Sequence, residues 1–228
     1  HDVLTTVARL SGKNKHKEIA NLIQVWASKY EFSQDPFIQQ LSSAIDNRKN
    51  LPFWASLDID KLFGRQAPLV VDIGCGNGRY SLGSAWTRRE CDHLAADILP
   101  VVIRYATRRG NQRGLTNLRF CVVDGERLVT ELLPGGRVKE LHCYHPQPNP
   151  RPGEGQGRLI QPFFMAEVIR VLEPGGLFVV QTDNGSYWSQ IKSLVERFLD
   201  FKTHQGRWPD APRGRSRREI YARKKGLP

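Results

Sequence analysis

The sequence predicts an α/β domain built on a mostly parallel sheet with helices on both faces, preceded by an N-terminal helical extension. Three observations carry that prediction. From Leu69 onward, short apolar runs alternate with helical patterns, a glycine-rich turn follows the first run, and three of the runs end in Asp. Strand–helix alternation of this kind gives parallel strands joined by right-handed crossovers.

The extension is read over residues 1–64. Ile19, Leu22, Ile23, Trp26 and Tyr30 recur at helical spacing within 13–32, with Lys on the other face. Asp35-Pro36 reads as an N-cap followed by Pro at the first helical position, opening a short helix with Ile38, Leu41 and Ile45 inward. A third short helix is expected over 52–63. In the main domain, 65–228, the strands are LVVDI (69–73), HLAAD (93–97), LRFCVVD (118–124), VKELHCY (138–144) and LFVVQTD (177–183). Helices fall near 79–88, 99–112, 158–172 and 186–199. Between strand 138–144 and the third of these helices, Pro and then Gly occupy alternate positions from Pro146 to Gly157, which excludes regular structure. From about Thr203 the chain is basic and expected to be loop-like.

The chain has 228 residues, 39% hydrophobic and 25% charged, an ordinary globular composition. No window approaches the roughly 18 continuous apolar residues of a membrane span, and no signal-peptide core opens it. Cys75, Cys91, Cys121 and Cys143 make no CxxC pair, so buried thiols of a cytoplasmic protein are expected rather than a disulfide framework or a metal site. Lys+Arg 34 against Asp+Glu 23 gives 34 − 23 = +11, which points to a polyanionic partner. The excess is clustered. Arg207, Arg213, Arg215, Arg217, Arg218, Arg223, Lys224 and Lys225 lie near the end, and Arg104, Arg108, Arg109 and Arg113 have helical spacing. Little apolar periodicity accompanies them, so a membrane-inserting helix is not expected.

The first strand runs into V-D-I-G-C-G-N-G-R-Y, where Gly74, Gly76 and Gly78 allow a tight turn and close approach of backbone to ligand. Dinucleotide-binding folds use nearly the same turn, so the surrounding acids discriminate. Asp72 precedes the glycines, where a pyrophosphate would be repelled and an ammonium attracted. Asp97 ends the second strand, 19 residues after Gly78, in the position that takes a ribose diol. Asp124 ends the third strand and is followed by Gly125. One such Asp is equally an N-cap; three in register describe a site for S-adenosylmethionine rather than NAD. Asp72, Gly74, Cys75, Gly76, Gly78, Asp97, Ile98, Asp124 and Gly125 form the expected cofactor-binding set.

DIGCGNG, GLTNLRF, VVDGE, the HPQPNP loop, GRLIQPFF, LEPGG and QTD together make the chain similar to the bacterial tRNA (guanine-N7)-methyltransferases, over roughly 68–226. The resemblance implies a class I methyltransferase fold with a seven-stranded sheet, S-adenosylmethionine as cofactor and tRNA as partner, without a metal. The family stretch F-F-P-D-P-W-P-K-K-R-H aligns with Tyr144 to Gly153: the prolines are kept, the Asp held to be catalytic is Gln147, the Trp is Asn149, and the basic run is lost. Arg151 and Arg158 remain there as charges for RNA. The family's T-D strand end falls on Thr182 and Asp183, and its T-K-F-E motif on Ser216, Arg217, Arg218 and Glu219. The resemblance thus assigns Gln147 and Asp183 to catalysis, and Arg151, Asp183, Ser216, Arg217, Arg218 and Glu219 to substrate. The sequence does not open with Met and stops at Pro228, where a further strand is expected, so both ends are expected to be trimmed.

Guanine N7 carries a free lone pair and no proton, so methylation there needs positioning and no general base. Positive charge grows on the purine, and a carboxylate stabilises it. Gln147 offers hydrogen bonds but no charge; Asp183 and Glu219 are the carboxylates able to take over, and Asp183 equally reads as a helix cap. A weakened or inactive relative that binds cofactor or RNA, and a methyltransferase with another substrate, are the alternatives. Tyr187 and Trp188 read as helix packing. For His142 and His145 a strand-end role is expected.

Overall fold

Five apolar runs between Leu69 and Thr182 are dense in Val, Leu, Ile and Phe, which suits strands covered on both faces. The computed structural model describes residues 4–9, 56–148 and 157–226. The helices expected over 13–32 and from Pro36, the start of the one over 52–63, and Arg151 with the middle of the Pro/Gly loop lie outside the described residues. In chain order the elements are β1 (Leu4–Arg9), α1 (Ile59–Phe63), β2 (Leu69–Ile73), α2 (Arg79–Thr87), β3 (Asp92–Asp97), α3 (Pro100–Gln112), β4 (Leu118–Val122), α4 (Gly125–Arg127), β5 (Val138–Tyr144), α5 (Pro162–Val171), β6 (Leu172–Thr182), α6 (Gly185–Val195), β7 (Asp200–His204) and α7 (Arg217–Lys225). A π-helical turn, Leu128–Leu132, joins α4 to the loop before β5.

The sheet has seven strands in the order β4-β3-β2-β5-β6-β1-β7. Strands β2 to β6 pair in parallel. β1 inserts antiparallel to both β6 and β7, so the sheet draws on both sides of residue 64. Strand order reverses between β2 and β5, and at such a switch point the two outgoing loops part to leave a crevice at the carboxyl ends of the strands.

The two faces of the sheet differ. Leu69, Val71, Ile73, Leu141, Cys143, Phe178 and Val180 face one way and pack with Phe164, Met165 and Val168 of α5, Tyr187 and Ile191 of α6, and Leu128 of the π-turn. Burying an aliphatic side chain of this size contributes about 1.5–3 kcal/mol. Tyr187 is fully buried and its hydroxyl accepts the Ile160 N–H at 2.9 Å, while Trp188 rests against Phe201 with ring centroids 6.0 Å apart. The opposite face carries the polar residues Asp72, Glu140, His142 and Gln181, and α2 reaches it through Ser81, which bonds Asp72, and Tyr80, which bonds His142. Asn117, inside the G-L-x-N-L segment, is buried and its amide nitrogen donates to the carbonyls of Ala85, Arg88 and Cys91 at 3.0–3.2 Å. It ties the end of α2 to the start of β3.

The C-terminal stretch departs from the loop expected after Thr203. β7 runs to His204, and α7 follows. α7 has too few apolar residues for a periodic stripe, so its ends define it. The Ser216 hydroxyl accepts the Glu219 N–H at 2.9 Å, Gly226 closes the helix at φ 65°, and Arg223, Lys224 and Lys225 sit in its last turn, where the helix dipole favours cations.

Candidate active site

The turn from β2 into α2 is shaped by its glycines. Gly74 and Gly76 have φ of 69° and 53°, and a Cβ added at either would meet nothing within 4 Å, so both expose backbone to open space. Gly78 serves packing instead: its added Cβ would lie 2.8 Å from the Phe120 ring and 3.0 Å from Ala106. Asp72 is the last residue but one of this strand. One of its oxygens accepts from the Ser81 hydroxyl, and the other is buried with no partner. Burial is the main cause that pushes its pKa up to about 7, helped by Asp97 and opposed by Ser81 and Arg215.

Asp97 clamps the same turn. Its two oxygens accept the N–H of Gly76 at 2.8 Å and of Leu99 at 3.0 Å, leaving lone pairs for further donors. Cys75 is anchored by its backbone, whose N–H donates to the Ala96 carbonyl at 2.9 Å; burial raises its thiol pKa strongly. Ile98 is 51% exposed and, with Leu99 at 49%, leaves an open apolar edge beyond Asp97. Asp124 caps α4, accepting the N–H groups of Glu126 and Arg127 at 2.8 and 3.2 Å. Gly125 sits close over β2, with an added Cβ 3.1 Å from Ile73.

The facing wall comes from β5, β6 and the stretch before α7. The Tyr80 hydroxyl bonds His142 Nε2 at 2.8 Å, His142 Nδ1 bonds the Tyr144 hydroxyl at 2.9 Å, and Arg215 donates to that hydroxyl at 3.1 Å. Glu140 accepts both nitrogens of Arg88 at 2.6 and 2.8 Å and lies 3.1 Å from His142 Nε2. Burial lowers the pKa of His142, so this network is held by a neutral imidazole. The Arg215 guanidinium lies 3.7 Å over the Trp208 ring and 5.1 Å over Tyr80, and pairs with Asp210 at 2.8 Å. Asp72, Gly74, Gly76, Tyr144, His145 and residues 215–218 thereby enclose a cleft of about 330 Å³.

His145 turns the chain out of β5 at φ 54°, and its N–H donates to the Gln181 carbonyl at 2.6 Å. Its ring lies 3.6 Å from Asp183, which accepts from Arg218 at 2.6 Å. Burial works to raise the Asp183 pKa, but the bond and charge of Arg218, with His145, hold the carboxyl below its ordinary range. Asp183 does not cap α6; the Asn184 side chain does, accepting the Tyr187 N–H at 2.8 Å. Gln147 is exposed on the loop beyond.

Arg158 acts as a clasp. It donates to the Pro148 carbonyl and to Gln190 Oε1, both at 2.6 Å, and so fastens the two ends of the Pro/Gly loop. Glu219 is fully buried, with its oxygens accepting the Arg215 N–H at 2.8 Å and Arg223 Nε at 2.9 Å. Its carboxylate is spent inside the C-terminal segment, while Ser216, Arg217 and Arg218 line the cleft. Arg79, Tyr80, Tyr144 and Arg215 line it too, although sequence reasoning did not single them out. Arg79 follows the last glycine of the turn, and that adjacency was the available signal; Arg215 was hidden in a basic run.

A glycine turn with two carboxylates at the switch point of a seven-stranded α/β sheet defines a ligand-binding domain of the methyltransferase type. Residues 66–225 match the Methyltransf_4 family, described as "Putative methyltransferase". Proteins named tRNA (guanine-N(7)-)-methyltransferase are 34% identical in Arthrobacter sp. (strain FB24), over 68% of this chain and 50% of that protein. The Halorhodospira halophila protein of that name is 32% identical over 69% of this chain and 68% of its own length. The chain belongs to the family these proteins share, the tRNA (guanine-N7)-methyltransferases. It spans half the length of the Arthrobacter relative. A solved SAM dependent methyltransferase from Aquifex aeolicus aligns at 22% identity with 54% of this chain and 60% of its own, with a TM-score of 0.38; the fold assignment rests on the sheet order itself.

Proposed function

We propose that the chain transfers a methyl group from S-adenosylmethionine to N7 of a guanine in tRNA, in the cytoplasm. The observation that carries this reading is Asp72: a buried carboxylate oxygen with no partner, beside two glycines whose open backbone leaves room for a ligand. An ammonium group satisfies that oxygen, and a ribose diol suits the lone pairs left on Asp97. The apolar edge at Ile98 and Leu99 suits the face of an adenine. Free Cys75, Cys91, Cys121 and Cys143 fit a reducing compartment.

The bound cofactor supplies an electrophilic methyl on a sulfonium. The chain's own residues orient and stabilise. Asp72, Gly74, Gly76 and Asp97 fix one reactant, and Ser216, Arg217 and Arg218 line the side from which the base enters. Asp183 is the carboxylate available to offset positive charge growing on the purine, with Arg218 and His145 setting its orientation. Gln147 orients the base through its amide. No residue has to remove a proton.

Incubating the chain with bulk tRNA and tritiated cofactor tests this: labelled 7-methylguanosine is expected, and its absence above background overturns the reading. The substitution of the family's Asp by Gln147 favours a second reading, a relative that binds without turnover. Tight binding of S-adenosylhomocysteine and tRNA without methyl transfer would support it.

A further inference from the structure

We infer that the cleft continues into a cationic groove along α2 that holds the sugar-phosphate backbone of the RNA flanking the target base, a site that rests on the function proposed above. The groove encloses about 590 Å³ between the outer face of α2, the end of α3 and the stretch before α7. Arg79, Arg109, Arg113 and Arg213 reach it from three separate parts of the chain. Among the described residues none of the four pairs with a carboxylate, and the one acid in the groove, Asp210, is taken by Arg215 at 2.8 Å. Gly83 forms part of the floor, and a Cβ there would meet nothing within 4 Å. Arg79 also lines both the cofactor cleft and the adjoining hollow by Tyr105, Arg109 and Arg217, so the three cavities join around its side chain.

Arg79 donates to the Gly214 carbonyl at 3.0 Å and Arg109 lies over Tyr105, but with no carboxylate on any of the four, their gathering makes the concavity strongly positive, and a concave wall focuses that field on an anion. The kind of anion follows from the aromatic rings. Trp86 is 54% and Tyr105 55% exposed, each with a guanidinium over it, Arg89 at 4.9 Å and Arg109 at 5.4 Å. Cationic grooves interleaved with exposed rings suit the phosphates and bases of a single strand. The path ends at the cleft that takes the guanine, so one strand can occupy both.

The test compares the parent with Arg109→Ala, Arg113→Ala and Arg213→Ala, singly and combined. None of the three lines the cofactor cleft, so calorimetric binding of S-adenosylhomocysteine serves as a folding control and should not change. The triple variant should bind tRNA at least about tenfold more weakly, with the slope of log affinity against log salt reduced by about one per arginine. Its KM for tRNA should rise more than its kcat falls. If the parent binds tRNA without methylating it and the variants lose that binding, the groove stands and the proposed activity falls. If the parent methylates tRNA and the triple variant matches it in affinity and salt slope, the groove falls and the activity stands. Equal arginine-dependent capture by phosphatidylserine vesicles, with no arginine effect on tRNA, would assign the groove to a membrane surface and overturn the inference.

Discussion

Asp72 sits in a buried position with one oxygen paired to Ser81 and the other unpaired, and this sets how its own contribution to stability responds to pH. An acid whose pKa is higher folded than unfolded binds more protons in the folded state between the two values. Stability from this group is therefore full below the ordinary carboxylate range and is lost as pH rises through about 7. Without cofactor, the unfolding free energy of the parent minus that of Asp72→Asn, both measured in urea, should fall from pH 5 to pH 8; the buried His93, His142 and His145, whose pKa values burial lowers, work the other way and do so in both proteins. An ammonium ligand favours the ionised form, so S-adenosylhomocysteine affinity should rise across the same interval in the parent and not in the variant; calorimetry at pH 6, 7 and 8 measures it. Asp183 makes a different demand. Asp183→Asn should leave cofactor affinity unchanged and lower kcat by about 10²–10³-fold, the cost of removing one preorganised electrostatic group; single-turnover methyl transfer reads it. Asp72 and Asp97 were legible because each lies at the carboxyl end of an apolar run, Asp72 one residue before the end of β2 and Asp97 as the last residue of β3. Arg215 was not, since its place over Tyr80 and Trp208 depends on how a distant segment folds back.

Elements with a periodic apolar signal were readable, and those made by caps and tertiary ties were not. β2 and β5 fall where LVVDI and VKELHCY put them. α7 was missed because Arg and Lys dominate it, although S-x-x-E stood in the sequence as a helix start. The turn before α7 has its own requirement. Gly214 has φ of 117°, and an added Cβ would lie 3.0–3.2 Å from Ile220 and Glu219. Gly214→Ala should cost about 1–3 kcal/mol locally and free the C-terminal segment, seen as faster proteolysis there with little change in the main unfolding transition. Asn117→Ala should act globally. It strands buried carbonyls at the end of α2 and should lower the unfolding free energy by about 1–3 kcal/mol in urea.

At the scale of the molecule, the parallel sheet followed from strand–helix alternation, whereas its switch point depends on a strand order that alternation does not give. Long-range pairings were out of reach. Nothing in LTTVAR marks it as the antiparallel strand between β6 and β7, because strand pairing is decided by partners more than 160 residues away. The joining of the two arginine clusters across α2 is likewise a product of the fold, with spacing alone giving only one cluster on a helix and another near the end. The proposal that joins these scales is guanine-N7 methylation of tRNA at the Asp72 cleft. Its most direct test is nucleoside analysis of tRNA treated with tritiated cofactor and either the parent or Asp72→Asn. Label is expected in 7-methylguanosine with the parent and none with the variant. Label in another nucleoside, or equal label with both proteins, would contradict it.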